Sequence, residues 1–352
     1  MVSIDALPSL AAAGAPSRRA VRLWLVAVAA LVFVMVLVGG ATRLTESGLS
    51  ITQWKPVTGV LPPLSAAEWA AEFERYKQIP QYAEMNAGMT VEGFKTIFWW
   101  EWGHRLLARV LGLVYIVPAL WFWARGAFRG GLGRQVLLMT ALLALEPIVG
   151  WWMVSSGLSD RVEVAQDRLA IHLLIAAGVF GTAIYAAVAL TARAREAAPR
   201  SFAAAAAAFA LLVYAQLGLG ALVAGLRGGH IYNTWPLMGT RLVPGEAFDA
   251  PDAPLNDAAT AQFDHRLLAY AVLGFALAQA VLAAKSRLPR LGRRAAALAA
   301  VAFAQVALGV ATLLFGVPLS LALAHQALAL VLFGLACAHW SATVGQEDAA
   351  RG

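Results

Sequence analysis

The sequence predicts an all-α polytopic membrane protein with eight transmembrane helices, arranged as two pseudo-repeated four-helix bundles. The first observation is composition: 60% of the 352 residues are hydrophobic, only 13% are charged, and the mean hydropathy is +0.68. Soluble domains carry about 25% charged residues. The second observation is an internal repeat, because a His-Arg pair at the start of an apolar run occurs at 104–105 and again at 265–266.

Eight apolar stretches approach the length of about 20 residues that a transmembrane helix needs. They are predicted at 21–40, 103–123, 135–154, 169–191, 202–225, 265–284, 295–315 and 321–341. The repeat then divides the chain into an N-terminal tail, two four-helix halves and a C-terminal tail, with these bounds: 1–20, 21–200, 201–341 and 342–352.

The basic residues predict the orientation of the helices. The loops on the side of the termini hold 14 Lys and Arg residues, against 9 in the much longer loops of the opposite side. Because Lys and Arg are enriched in cytoplasmic loops, both termini are expected in the cytoplasm. The net charge of +7 is explained in the same way, and we expect no nucleic-acid partner.

Four of the six histidines are paired both by the repeat and by depth. His104 and His265 open the second and sixth helices, 161 residues apart, and His172 and His325 open the fourth and eighth, 153 residues apart. A single buried His usually does no more than bond a neighbouring helix. Four His at one depth instead favour two metal sites, because two facing imidazoles in a bundle suit the axial positions of a haem.

Charged residues beside these histidines distinguish the two halves. Arg105 and Arg266 either pair with the carboxylates of a bound haem or extend to the membrane interface. Glu101 lies three residues before His104, whereas the equivalent residue before His265 is Gln262. Unless Glu101 only pairs with a nearby Arg, this carboxylate makes the N-terminal half the better candidate for acid–base chemistry.

The remaining candidates carry less information. Glu146, next to Pro147 in the third helix, either lines a polar path or pairs with an Arg. His230 and His339 have no repeat partner and are expected to be peripheral. Cys337 is the single cysteine, so an intrachain disulfide is excluded and a packing role is expected.

Several motifs resemble those of the haem A synthase family, and the resemblance covers about 22–340. They are GGATRLTESGLS at 39–50, WKPVTG at 54–59, EWGHR at 101–105, GWWMVSSGL at 150–158 and YNTWPLM at 232–238. The closest similarity is to the alphaproteobacterial and mitochondrial branch. Two features depart from the family: an outer-loop Cys pair found in some members is absent, and Glu146-Pro147 replaces the usual Gln-Gly.

The resemblance implies an enzyme of the bacterial inner membrane that oxidises the C8 methyl of haem O to the formyl group of haem A by successive hydroxylations. It implies that His265 and His325 hold a resident haem b, that His104 and His172 face the iron of the substrate haem, and that Glu101 is the family's carboxylate near the first His. Haem O synthase and an unidentified electron acceptor are the implied partners.

Two other functions fit the paired histidines. A di-haem b-type electron carrier linked to quinol would use both pairs as permanent haem sites and would not need Glu101. A haem carrier without catalysis would need neither an acid nor an electron acceptor. A transporter with repeats would leave the His pairs unexplained, and the sequence leaves homo-oligomerisation open.

Overall fold

A computed structural model describes residues 16–191, 198–245 and 248–344 of the chain as a helical bundle. Eight of its helices are long and apolar enough to cross a membrane. They are α1 (Arg18–Leu44), α4 (Val91–Ala124), α5 (Gly131–Ser155), α6 (Gln166–Ala189), α7 (Arg200–Gly225), α9 (Ala258–Ala284), α10 (Pro289–Leu314) and α11 (Leu319–Thr343). Three shorter helices lie in the loops: α2 (Ala66–Tyr76), α3 (Pro80–Met85) and α8 (Ala253–Asn256). The prediction of eight spanning helices is confirmed.

The largest boundary difference is at α4, which begins twelve residues before the predicted start at residue 103. Thr90 caps the helix by accepting a hydrogen bond from the backbone N–H of Gly93 at 3.2 Å. The added turns bury Phe94 and Phe98 against the loop helices. Hydropathy misses these turns because their polar residues lie beyond the apolar run. The extra length places Glu101 inside the helix, on the same face as His104.

The predicted short helix at 65–78 is confirmed as α2. Ser65 accepts a hydrogen bond from the backbone N–H of Glu68, and the Glu68 carboxylate accepts one from the backbone N–H of Ser65 at 3.3 Å. This reciprocal pair is a capping box. The helix packs through Phe73 and Tyr76 against Phe94, so the long loop is a folded layer over one end of the bundle. We call this end the long-loop face.

The spanning helices pack as two groups of four. In the C-terminal group, α7 contacts α9, α9 contacts α10, α10 contacts α11, and α11 returns to α7. In the N-terminal group, α4 packs on α1, α1 on α6, and α6 on α5. The groups meet through α1, α6, α7 and α11, and the contact of α6 with α7 has its counterpart in the contact of α11 with α1. This arrangement is compatible with two equivalent halves.

A charged cluster joins the two groups at the long-loop face. Arg227, which follows α7, contacts both Glu46 and Glu163, and its contact with Glu46 measures 2.5 Å. Arg43 at the end of α1 contacts Glu163 at 2.6 Å and donates to the carbonyl of Ala224 at 3.0 Å. Glu46 and Arg227 are 181 residues apart, and both adopt left-handed backbone angles, with φ of 57° and 52°.

Some predictions fall outside the described residues. These are residues 1–15 of the N-terminal tail, 345–352 of the C-terminal tail, and Arg193 and Arg195, which contribute to the predicted orientation. The half boundaries and the cytoplasmic location of both termini stay predictions.

Candidate functional site

Each of the four paired histidines packs against a glycine of the preceding spanning helix. His104 lies on Gly39 of α1, His172 on Gly150 of α5, His265 on Gly220 of α7, and His325 on Gly309 of α10. A Cβ added to these glycines would stand 2.7, 3.1, 3.2 and 2.7 Å, respectively, from Cε1 of the imidazole. Glycine is therefore needed at each position to seat a ring. The glycines of α1 and α7 lie 181 residues apart, so they also reveal the repeat between these two helices.

A polar side chain one turn before the glycine contacts three of the four imidazoles. In the C-terminal half, the amide nitrogens of Gln216 and Gln305 lie 3.0 and 3.1 Å from Nδ1 of His265 and His325, and each donates to the carbonyl oxygen of the same His. These contacts fix the rotation of each ring, which is how outer groups orient metal-binding imidazoles.

The N-terminal half departs from this pattern. A carboxylate oxygen of Glu146 lies 2.5 Å from Nδ1 of His172. Glu146 therefore pairs with a histidine, and neither alternative from the sequence, a polar path or an Arg partner, describes it. The residue one turn before Gly39 is Met35, and Nδ1 of His104 is buried without a hydrogen-bond partner in the described chain.

The geometry of the C-terminal pair fits a metal held between two imidazoles. The ring centroids of His265 and His325 are 6.4 Å apart, and the ring planes are inclined by 75°. A metal bonded to both rings at about 2 Å per bond needs centroids roughly 6 Å apart. The buried amide oxygens of Gln216 and Gln305 have no hydrogen-bond partner in the described chain, as expected beside a bound polar or metal-containing group. A haem with two axial His therefore fits these residues.

The N-terminal pair is accompanied by two acids. His104 and His172 lie close enough to interact electrostatically, and Glu101 is within the same range of His172. Glu101 is only 6% exposed, and it accepts a hydrogen bond from Nε of Arg105 at 2.7 Å. The Arg partner considered from the sequence is therefore present. It accompanies the proximity to the His pair, because both are reached from one face of α4.

The two arginines after the helix-opening histidines hold the loops of the long-loop face. Arg105 donates to the carbonyl oxygens of Ile51 and Gln53 at 2.9 and 3.0 Å. Arg266 donates to those of Tyr232 and Thr234, both at 2.9 Å. Their predicted contact with haem carboxylates stays a prediction, whereas the loop contacts were not foreseen.

A second residue one turn further along each helix acts in the same way. Arg109 donates to the carbonyl oxygens of Lys55 and Pro56 at 2.8 and 2.9 Å. At the repeat position of α9, 161 residues later, the hydroxyl of Tyr270 accepts a hydrogen bond from Nε1 of Trp235 at 3.0 Å. The 161-residue offset was the signal that could have identified both.

The other histidines and the cysteine lie apart from these sites. His230 is exposed in the loop after α7, and His339 is buried near the opposite end of α11. Cys337 is buried against Gly181 of α6, as a packing residue would be.

Comparison with known proteins identifies the family. A family model described as "Cytochrome oxidase assembly protein" (COX15-CtaA) matches residues 22–337, which include all four paired histidines. The chain belongs to this family. A protein of Rhodopseudomonas palustris strain BisA53 named "Heme A synthase" is 52% identical over 328 residues, covering 92% of this chain and 91% of that protein. A Mesorhizobium japonicum protein of the same name is 49% identical over 334 residues, covering 94% and 92%.

Membership of the COX15-CtaA family confirms the resemblance found in the sequence. A third relative, the "Heme A synthase" of a Chelativorans species, is 49% identical and matches 96% of this chain. With eight candidate spans, the chain is a multi-pass membrane protein of a family concerned with cytochrome oxidase assembly.

Proposed function

We propose that this protein is a haem A synthase, which oxidises the C8 methyl group of haem O to the formyl group of haem A for terminal oxidases. Near-complete coverage by relatives of that name supports the proposal. The observation that carries it is the asymmetry of two otherwise matching sites. Each has two histidines seated on glycines, but only the N-terminal site has a buried carboxylate, Glu101, within range of its pair.

The C-terminal pair is assigned to the resident cofactor. His265 and His325 are the proposed axial ligands of haem b, and Gln216 and Gln305 orient them. When bound, this haem supplies one-electron redox chemistry. His104 and His172 are proposed to hold the iron of the substrate haem, in the half bounded by residues 21 and 200. The C-terminal half runs from 201 to 341.

The reaction defines what the N-terminal site must do. Conversion of a methyl to a formyl group, written as CH3 + H2O → CHO + 4 H+ + 4 e−, adds one oxygen and removes four electrons and four protons. The electrons require an external acceptor. Glu101 is placed to accept a proton near His104, and Arg105 holds the carboxylate in position through the 2.7 Å hydrogen bond.

The setting of the reaction follows from the same proposal. The protein is assigned to the bacterial inner membrane with both termini in the cytoplasm, so the long-loop face lies outside. Haem O synthase is the proposed source of the substrate, because the product of that enzyme is the molecule that this site takes.

The proposal is tested by expressing the chain with a haem O synthase in a host that lacks haem A, followed by chromatography of the extracted haems. We expect haem A and its hydroxylated precursor. Absence of both from cells that contain folded protein with a haem b spectrum would refute the enzyme and favour an electron carrier or a haem carrier.

A further inference from the structure

The two four-helix groups differ at one seam. In the C-terminal group α9 and α10 pack closely along their backbones, which closes the ring of four helices. The equivalent helices α4 and α5 make at most sparse backbone contacts. They are joined by the hydroxyl of Tyr115, which donates to the carbonyl of Val136 at 2.9 Å and lies 2.7 Å from the Thr140 hydroxyl. We call the space between them, from this contact toward the long-loop face, the α4/α5 gap.

Residue size explains why one seam closes and the other does not. The α10 face toward α9 carries Ala295, Ala299 and Ala302, all buried, and Ala295 packs with Ala283 of α9. Small residues let two membrane helices approach closely. The equivalent residues of α5, 159 positions earlier, are Val136, Thr140 and Leu143, whose larger side chains hold the helices apart.

The α4 side of the gap is correspondingly unfilled. Ala108 shares a helical stripe with Leu111 and Tyr115, which are 6% and 3% exposed, yet Ala108 itself is exposed. Gly112 is also exposed, and a Cβ added to it would meet no atom within 4 Å. The residue of α9 at the position of Gly112 is Leu273, which is partly buried and packs against the core.

The gap leads to the N-terminal histidines. Glu146, which contacts His172, and Gly150, on which that ring sits, are both residues of α5. His104 lies one turn from Ala108 on α4. Moreover, only 11% of the central window of α5 is buried, against 22% for α10. The side of this site that faces the surrounding lipid is thus the side with the least protein.

We propose that the α4/α5 gap is a lateral portal through which a haem-type porphyrin passes between the bilayer and the His104/His172 pair. This inference rests on the proposed function, in which the N-terminal site exchanges haem at every turnover while the C-terminal site retains its haem. A porphyrin with a large apolar surface dissolves in the bilayer and would reach a membrane-embedded site sideways. The closed seam between α9 and α10 accounts for retention.

The test compares two glycine substitutions in the full-length protein with resident haem b, reconstituted in nanodiscs. Gly112→Leu introduces the residue that closes the other half. Gly274→Leu is the matched control, because Gly274 is also exposed on a spanning helix and also has no atom within 4 Å of an added Cβ. Haem O is supplied in phosphatidylcholine vesicles, and its uptake is followed by Soret absorbance. The resident haem b spectrum verifies that each variant is folded.

We expect Gly112→Leu to slow haem O uptake and release by about tenfold or more with little change in equilibrium occupancy, because a portal controls rates. Gly274→Leu should behave as the wild type. Conversely, Leu273→Gly should accelerate transfer of the resident haem b to apomyoglobin by a similar factor. Wild-type uptake kinetics in folded Gly112→Leu would overturn the portal.

The outcomes separate the portal from the enzyme. Uptake that depends on Gly112 without conversion to haem A would support the portal and refute the synthase, whereas normal conversion with uptake insensitive to Gly112→Leu would refute the portal alone. If no haem O binds at all, both proposals fail. If the wild type is a dimer and Gly112→Leu a monomer by native mass spectrometry, a second copy of the chain occupies the gap and the portal is refuted.

Discussion

The glycine beneath each histidine makes haem retention sensitive to a single methyl group. In Gly309→Ala the new Cβ would stand 2.7 Å from Cε1 of His325 and 3.3 Å from its Nδ1. Carbon atoms in contact are normally about 3.5 Å apart or more, so the ring must move by roughly 0.8 Å. A metal–ligand bond tolerates only about 0.2 Å. The helix itself should not suffer, because alanine is favoured over glycine within helices by about 1 kcal/mol.

The magnitude follows from the cost of overpacking. Forcing an extra methyl group into a filled site costs about 1–3 kcal/mol, which corresponds to an affinity loss of roughly 5- to 150-fold. Gly220→Ala brings its Cβ to 3.2 Å from His265 and should lie at or below the bottom of this range. At Gly274 an added Cβ meets no atom within 4 Å, so Gly274→Ala should cost nothing.

The assay is the transfer rate of haem b from each purified variant to apomyoglobin, together with the haem b content per polypeptide. The expected order of haem loss is Gly309→Ala first, Gly220→Ala second, and Gly274→Ala equal to the wild type. If Gly309→Ala retained haem b as well as Gly274→Ala does, His325 would not be a ligand seated by this glycine, and the assignment of the C-terminal pair would be wrong.

Three further predictions concern carboxylates. Glu101→Gln keeps the shape of the side chain but cannot accept a proton, so haem A formation should fall by about 100-fold or more while the haem b spectrum is unchanged; full activity in haem extracts would show that Glu101 is not the acid–base group. Glu146→Gln introduces the residue that α10 carries at the repeat position and should weaken substrate-haem binding to His172 by about tenfold, measured by spectroscopic titration, with an unchanged affinity as the contrary result. In α2, partial burial alone would raise the pKa of Glu72, but hydrogen bonds from Arg75 and Lys55 lower it below the usual 4.5. Because the pKa is depressed in the folded state, this carboxylate stabilises the loop above pH 4.5, and the stabilisation is lost as the pH falls through the folded value. Limited proteolysis between pH 7 and pH 3 should show a smaller acid effect in Glu72→Gln, and an identical pH profile would contradict the ion-pair argument.

Apolar length and loop charge were sufficient to predict eight helices, because each spanning segment must satisfy its backbone hydrogen bonds internally. The ends of α4 were not predictable in this way. Residues 91–102 are stabilised by Phe94 and Phe98 packing against α2, and such tertiary contacts leave no period in the local sequence. For the same reason, nothing local indicates that Glu101 becomes buried.

The four histidines were found because a repeat preserves them, while their supporting residues were found only in part. Gln305 and Glu146 aligned in the sequence, but their role required knowing which helix faces which ring. The match between α1 and α7 was missed, since its shared residues are single glycines, Gly39 and Gly220, in otherwise different apolar sequence. The open seam at Gly112 depends on the absence of a side chain, which a pattern of hydrophobic residues does not reveal.

The contact between Glu46 and Arg227 has a consequence for how the two halves recognise each other. Equivalent surfaces that meet about a twofold axis bring each residue against its own counterpart, and the 181-residue offset makes these two residues counterparts. If either half associated with a second copy of itself, the same place would hold two glutamates or two arginines in repulsion. The measured contact of 2.5 Å joins opposite charges instead. Charge at this one position therefore favours the mixed pair over either self-pair, so that the covalent link between the halves and the chemistry of their interface select the same partner.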